Sequence, residues 1–306
     1  MRLVSFRGAG SQLGLGAVVD ERVVDLSEIV AAIRFSEDRI SELAARGLAV
    51  PPGGMLRLLY AGRQAMCGVA QSLEALAKLA YHQALGEVSL LAPVPRPGKI
   101  VAVGRNYADH AKETGVDPFE KPRIIAKLPS SATGHAAQVR RPAAVAKMDF
   151  EAELAVVMGE FASGVPRAKA LDFVAGYTAL NDLSAREFQF DVSPPQTTFA
   201  KSMDGFCPMG PWLVTRDEIP DPQALELSCH VNGEAMQRGR TADMIFPVDR
   251  LIEYVSKFMT LEPGDVIATG TPAGVGAFRK PPVWLKPGDR VRVEISRVGV
   301  LENAIA

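Results

Sequence analysis

Cysteine is scarce in this chain. Cys67, Cys207 and Cys229 are odd in number, scattered, and outside any CxxC or Cys/His spacing, so neither a disulfide framework nor a zinc site is expected. They read as reduced thiols of a cytoplasmic protein. An excess of either charge is missing too. Thirty-four Lys and Arg face 35 Asp and Glu, for a formal charge of −1, which removes the field that nucleic acid or an anionic membrane would require. No stretch approaches about 18 uninterrupted apolar residues, and the opening MRLVSFRGAG lacks a basic start followed by a long apolar region. Neither a membrane span nor a secretory signal is expected. Also absent are the GxxxxGK[ST] phosphate loop, the GxSxG elbow and a dinucleotide fingerprint leading into a helix, which disfavours a serine hydrolase and a nicotinamide enzyme. What remains is 306 residues, 47% hydrophobic and 23% charged, the make-up of a folded, enzyme-sized chain whose natural partner is a small molecule.

Two segments differ in character. Residues 1–25 alternate apolar and polar side chains, with turns at Gly8-Ala9-Gly10 and Asp20-Glu21, the pattern of a small antiparallel sheet. Leu26–Ile33, Glu37–Ala45 and Met55–Leu79 then carry apolar residues at three-to-four spacing and predict helices, the last one long, with His82 in its continuation. The three prolines of Leu91-Ala-Pro-Val-Pro-Arg-Pro-Gly98 cannot continue a helix, and a domain boundary is expected near residue 95. Beyond it, Ile100–Val103, Leu154–Met158, Val174–Leu180, Trp212–Thr215, Glu226–Val231, Val266–Thr269 and Val291–Ile295 read as short strands. Asn232-Gly233 reads as a type I′ hairpin turn, and Pro247–Met259 as an amphipathic helix. Many strands and few helices make an α+β, β-rich chain with a mixed or antiparallel sheet.

Side chains two apart on a strand share a face, so Glu151 and Glu153 in Asp149-Phe-Glu-Ala-Glu-Leu put two carboxylates side by side where an apolar strand begins. Asp182, after the strand Val174–Leu180, offers a third oxygen donor. Such a set suits a hard dication, Mg²⁺ or Mn²⁺, better than zinc; a solvated strand face is the other reading. His110 and Glu113 are three apart, the spacing at which a glutamate on a helix can hold one imidazole nitrogen and leave the other as a base; an unremarkable surface helix would look the same. His135, in the loop-like Ser130-Ser-Ala-Thr-Gly-His135, is the rival base. Lys201 either balances the acidic cluster or lies on the surface. Arg186 and Gln189 fall within reach of Asp182, and Thr269-Gly-Thr-Pro-Ala-Gly-Val-Gly276 has small residues that let backbone amides approach a carboxylate.

Taken together and in order, GRNYADHAKE (104–113), DFEAELAVVMG (149–159), GYTALNDLSAREFQ (176–189), AKSMDGFCPMGPW (200–212), VNGEAMQRGRTADMIFPVDRLIEYVS (231–256) and GDVIATGTPAGVG (264–276) resemble the fumarylacetoacetate hydrolase superfamily, in its acylpyruvate hydrolase and isomerase branch. The resemblance implies a rolled mixed β-sheet catalytic domain over 96–306, a smaller α/β domain over 1–95, and a homodimer. It implies Mg²⁺ or Mn²⁺ on Glu151, Glu153 and Asp182, and a catalytic His110/Glu113 pair on a lid-like helix, assisted by Lys201. Arg105, Tyr107, Ser131, Arg186, Gln189, Gly270 and Thr271 are implied to bind substrate, and Thr197 stands where many relatives carry an aromatic. The implied activity is hydrolysis of a 2,4-dioxo acid such as fumarylpyruvate to pyruvate and a carboxylic acid. Decarboxylation of oxaloacetate, isomerisation of 2-hydroxyhepta-2,4-diene-1,7-dioate and an idle metal-binding homologue are the alternatives.

Overall fold

A computed structural model describes residues 1–8, 13–79, 82–115 and 117–306; the expected turn at Gly8-Ala9-Gly10 therefore lies outside the described residues beyond Gly8. The chain opens as an antiparallel meander of β1 (Arg2–Arg7), β2 (Leu13–Val19) and β3 (Arg22–Asp25). Asp20 and Glu21 both take positive φ, 45° and 60°, the two-residue geometry that matches strand twist. Helices α1 (Ser27–Ala31), α2 (Glu37–Ala45), α3 (Gly54–Tyr60) and α4 (Arg63–Leu79) follow. The single long helix expected over Met55–Leu79 is thus two, because Gly62 sits at φ +84° and a left-handed residue ends a helix. His82 is not helical either. It begins β4 (His82–Ala84), which pairs with β3.

After β5 (Ser89–Leu90) and the proline-rich stretch come β6 (Ile100–Gly104), α5 (Ala108–Glu113), β7 (Arg123–Lys127), and the short strands β8 (Ala132–Thr133), β9 (Gln138–Val139) and β10 (Met148–Asp149). The centre is formed by β11 (Ala152–Met158), β12 (Val174–Asn181), β13 (Ser184–Ala185), α6 (Glu187–Phe190), α7 (Thr197–Ala200) and β14 (Cys207–Thr215). The hairpin β15 (Glu226–Val231) and β16 (Glu234–Arg240) turns at Asn232 and Gly233, both at positive φ as expected; α8 (Val248–Ser256), β17 (Val266–Ala268), β18 (Arg290–Ile295) and β19 (Gly299–Ile305) complete the chain.

Among the described residues the main sheet has 12 strands, in the order β4-β3-β2-β1-β14-β12-β11-β17-β6-β7, with β5 added on β1 and β8 on β14. It is mixed, since β6 runs parallel to β17 and β8 parallel to β14. A five-stranded sheet, β16-β15-β18-β19-β9, packs against it. Strand β11 shows why its sequence is almost uninterruptedly apolar. Leu154, Val156 and Met158 enter one core with Leu227, Leu251 and Val293, while Ala155 and Val157 enter a second core with Leu3, Leu58 and Leu59. A strand covered on both faces has no solvated side to mark with polar residues. That second core draws on both sides of residue 95, and β1 pairs with β14. Sheet and core are thus continuous across residue 95.

Candidate active site and metal centre

The site forms at one end of the main sheet, where β6 and β17 finish and β11 begins. Glu151 lies just ahead of β11 and Glu153 within it. Asn181, the last residue of β12, pairs with Ala152, which delivers Asp182 beside Glu151; the Asp182 N–H donates to the Glu151 carbonyl at 2.9 Å. One carboxylate oxygen from each of Glu151, Glu153 and Asp182 lies within 4.8 Å of the other two, and all three residues are buried.

Buried carboxylates this close need cations. Lys201 Nζ, itself buried, donates to Glu151 Oε2 (2.9 Å), Asp182 Oδ2 (2.6 Å) and Ser184 Oγ (2.8 Å). Arg186 reaches Glu151 Oε1 (2.6 Å), Asp149 Oδ2 (2.8 Å) and Gln189 Oε1 (2.8 Å). Burial alone would raise the Glu151 carboxyl, but Lys201 and Arg186 outweigh it and hold the group well below the usual carboxylate range. The same carboxylates raise Lys201 and Arg186 against the cost of their burial. Glu153 differs. Among the described residues no Lys or Arg ion-pairs with it, and the Gly270 N–H at 2.8 Å is its hydrogen-bond donor. Burial, then the like charges of Asp182 and Glu151, push Glu153 well above its ordinary value. A hard dication among these oxygens would supply the charge that Glu153 lacks and reverse that shift. All-oxygen donors fit such an ion.

Gly270 can approach Glu153 because it has no side chain. Its φ is +99°, and a Cβ there would stand 2.7 Å from the Asn106 Cβ and 3.0 Å from the Val103 carbonyl. Thr271 Oγ1 donates to the Ala152 carbonyl (2.9 Å) and accepts from Gln237 Nε2 (2.7 Å), fixing the loop after β17 to the start of β11.

A cavity of about 210 Å³ opens on the acidic trio. It is lined by His110, Lys201, Arg186, Gln189, Thr271 and Arg105 of the expected site residues, and also by Arg123, Thr197 and Phe278. His110 and Glu113 sit one turn apart on α5, with Nδ1 to Glu113 Oε2 at 2.9 Å. A carboxylate only accepts, so Nδ1 carries the hydrogen, and in a neutral imidazole Nε2 is then the acceptor; among the described residues Nε2 makes no hydrogen bond. The Glu113 Oε1 atom accepts from the Gly274 N–H at 2.9 Å, which ties the helix to the loop after β17.

Three expected residues lie elsewhere. Tyr107 is wholly buried in the larger core, its hydroxyl without a hydrogen-bond partner. Ser131 is buried and donates to the Leu128 carbonyl, and Gly270 acts through its N–H to Glu153; none of the three lines the cavity. The rival base His135 is also off the cavity. Its Nδ1 accepts from the Glu302 N–H at 3.2 Å, and burial lowers its pKa.

The structure adds two residues that sequence reasoning passed over. Lys127, fully buried, donates to Asp182 Oδ1 (2.6 Å), to the Phe206 carbonyl (3.1 Å) and to the Lys201 carbonyl. A lysine closing the apolar run Ile124-Ile-Ala was its only local signal. Asp149 accepts from Arg186 and from the Gly276 and Ala277 N–H groups. It shares the alternation of Glu151 and Glu153, so period two read one step further back would have marked it.

Residues 99–306 match the family profile for the fumarylacetoacetate (FAA) hydrolase C-terminal region. A mitochondrial oxaloacetate tautomerase of Bos taurus is 39% identical over 308 residues, covering 100% of this chain and 91% of that protein. The crystal structure of maleylpyruvate hydrolase from Sphingobium sp. SYK-6, in complex with manganese(II) and pyruvate, superposes with a TM-score of 0.78 at 30% identity, covering 100% and 99% of the two chains. That of 2-hydroxyhepta-2,4-diene-1,7-dioate isomerase from Mycobacterium marinum gives 0.73 at 31%, covering 100% and 98%. With the rolled mixed sheet and the acidic trio already in place, these likenesses make the chain a member of the fumarylacetoacetate hydrolase family.

Proposed function

We propose that this protein is a divalent-metal-dependent enzyme that moves a proton at C3 of a small 2-oxo acid, interconverting its keto and enol forms as the oxaloacetate tautomerases it is similar to are named for. The observation that carries the reading is a cluster of three buried carboxylates opening on the same cavity as a histidine whose Nδ1 is held by Glu113 and whose Nε2 makes no hydrogen bond among the described residues. Glu151, Glu153 and Asp182 would hold Mg²⁺ or Mn²⁺, which supplies Lewis acidity to a 2-oxo group when bound. His110 Nε2 takes the C3 proton, the C3–H electron pair becomes the C2–C3 double bond, and the carbonyl pair moves onto O2. Lys201, whose ammonium already bridges Glu151 and Asp182, places a cation at that end of the cavity to oppose the developing oxyanion. Glu113 keeps the imidazole in the tautomer that can accept. Water protonates O2 to complete the enol, the His110 imidazolium returns the C3 proton to solvent, and the steps run in either direction.

Hydrolysis of an acylpyruvate is the second reading. The oriented base that takes a proton from carbon can equally take one from water, and the manganese-containing maleylpyruvate hydrolase has the same fold. Parallel assays separate the two: decay of the enol form of oxaloacetate in the ultraviolet, and pyruvate release from fumarylpyruvate and from oxaloacetate, each with Mn²⁺ and with chelator. The tautomerase reading expects enol decay to depend on metal and to exceed pyruvate release. Glu151→Gln should lose Mn²⁺ binding and turnover together, whereas His110→Ala should keep the ion, read by calorimetry, and lose about 10²- to 10⁴-fold in turnover. Full activity of the parent in chelator would overturn the proposal.

A further inference from the structure

The cavity lining carries charges of both signs, which differ in depth. Its acidic trio is at most 6% exposed, whereas Arg105 is half-buried and Arg123 exposed, so the lining runs from buried anions to accessible cations. Strand register brings the arginines together: Gly104, at the end of β6, pairs with Arg123, the first residue of β7, and Arg105 is the next residue along. Arg105 takes φ 57°, a left-handed conformation that a residue with a Cβ seldom adopts unless its side chain is wanted in a particular place. Its guanidinium stands 5.6 Å from the Phe119 ring centroid. Among the described residues neither guanidinium has a hydrogen bond or an ion pair, in contrast to Arg186, whose guanidinium donates to Asp149, Glu151 and Gln189. Burial, with the neighbouring Arg123 charge, lowers Arg105 from the usual guanidinium range. Two like charges facing one cavity with no counter-anion lack what a ligand carboxylate supplies by charge-assisted hydrogen bonding.

We propose that Arg105 and Arg123 form a subsite for a second carboxylate, so that the substrate is a 2-oxo dicarboxylic acid held by its 2-oxo end at the acidic trio and by its far end at the arginine pair. This rests on the 2-oxo acid reading above. The test compares kcat/KM of the Mn²⁺-loaded protein for oxaloacetate against oxaloacetate 4-methyl ester, and for fumarylpyruvate against acetylpyruvate. The parent should prefer the dicarboxylate of whichever pair it turns over. R105N and R123Q should each reduce that preference about tenfold, chiefly through KM, with R105K keeping most of it. Asparagine is at ease in the left-handed region, so R105N should melt no lower than the parent, and a loss of preference without a loss of stability is an effect that a merely structural arginine would not produce. An unchanged preference in both variants, or none in the parent, would overturn the subsite. Turnover of none of the four acids, together with no binding of oxalate, would instead overturn the 2-oxo acid reading and take the subsite with it.

Discussion

Two networks of charged side chains use the same residue types to different ends. Where the N-terminal helices meet the main sheet, Arg39 donates to the Tyr60 carbonyl (2.8 Å), Glu42 (2.7 Å) and Glu160 (2.9 Å), with 15% of its own side chain and 29% of that of Glu160 still exposed. At the cavity, Lys127, Asp182, Lys201 and Glu151 are linked through distances of 2.6–2.9 Å with 0–8% of each side chain exposed. Water can stand in for a lost partner in the first network. In the second it cannot, so each charge there is fixed by the others, and the geometry that results is the one the proposed metal and substrate would meet. Burial, more than the number of ion pairs, separates a network that shapes chemistry from one that trims a contact.

Removing a buried cation should give the largest effect and is the hardest test of this contrast. Lys127→Met keeps the side-chain length but leaves Asp182 Oδ1 and two carbonyls without their donor. Loss of one member of a buried pair costs about 3–5 kcal/mol, which urea denaturation in chelator would read as a marked fall in midpoint. Mn²⁺ should restore part of it, since the ion would compensate the same carboxylate. A K127M variant within about 1 kcal/mol of the parent in chelator would mean the buried network is as replaceable as an exposed one, at odds with what buried ion pairs ordinarily show. Arg39→Met makes the matching change at the periphery. Two part-exposed ion pairs and one hydrogen bond are lost there, and about 1 kcal/mol is expected, with turnover unaltered; a fall as large as that of K127M would erase the distinction.

The contrast also marks what the sequence could disclose. Glu151 with Glu153, and His110 with Glu113, were legible because strand and helix periods are local rules, and both pairs fall on one face in the structure as the spacing predicts. The Asn232-Gly233 turn was legible for the same reason. Lys127 was not, because its partners lie 55 to 79 residues away and nothing within RIIAK says which carboxylate a lysine will meet. Strand β7 was missed with it, being a short apolar run after the proline of Glu120-Lys-Pro-Arg. The break at Gly62 was hidden inside a continuous Ala/Leu pattern, where one glycine costs a helix only about 1 kcal/mol and tertiary contacts decide; here Arg39 and the Arg63 N–H both bind Glu160.

The smallest expected effect concerns the two histidines that the sequence offered as candidate bases. His110 lines the cavity with a carboxylate behind it; His135 lies under β19, kept neutral by burial, which outweighs the opposing pull of Glu302. Because the folded pKa of His135 is depressed, the unfolded chain binds the proton more readily. The stability His135 allows is therefore fully present above the ordinary histidine value of about 6.5 and declines as the pH falls below it, through the lowered value. His135→Gln should remove this term. Its urea midpoint should fall less than that of the parent between pH 7 and pH 5.5, and its enol-oxaloacetate turnover at pH 7 should equal the parent's. A His110→Ala series run alongside should show the reverse, with turnover lost throughout. Were H135Q instead to lose turnover, the free base would have to be sought under β19, and the assignment of proton transfer to the Glu113-backed imidazole would fail.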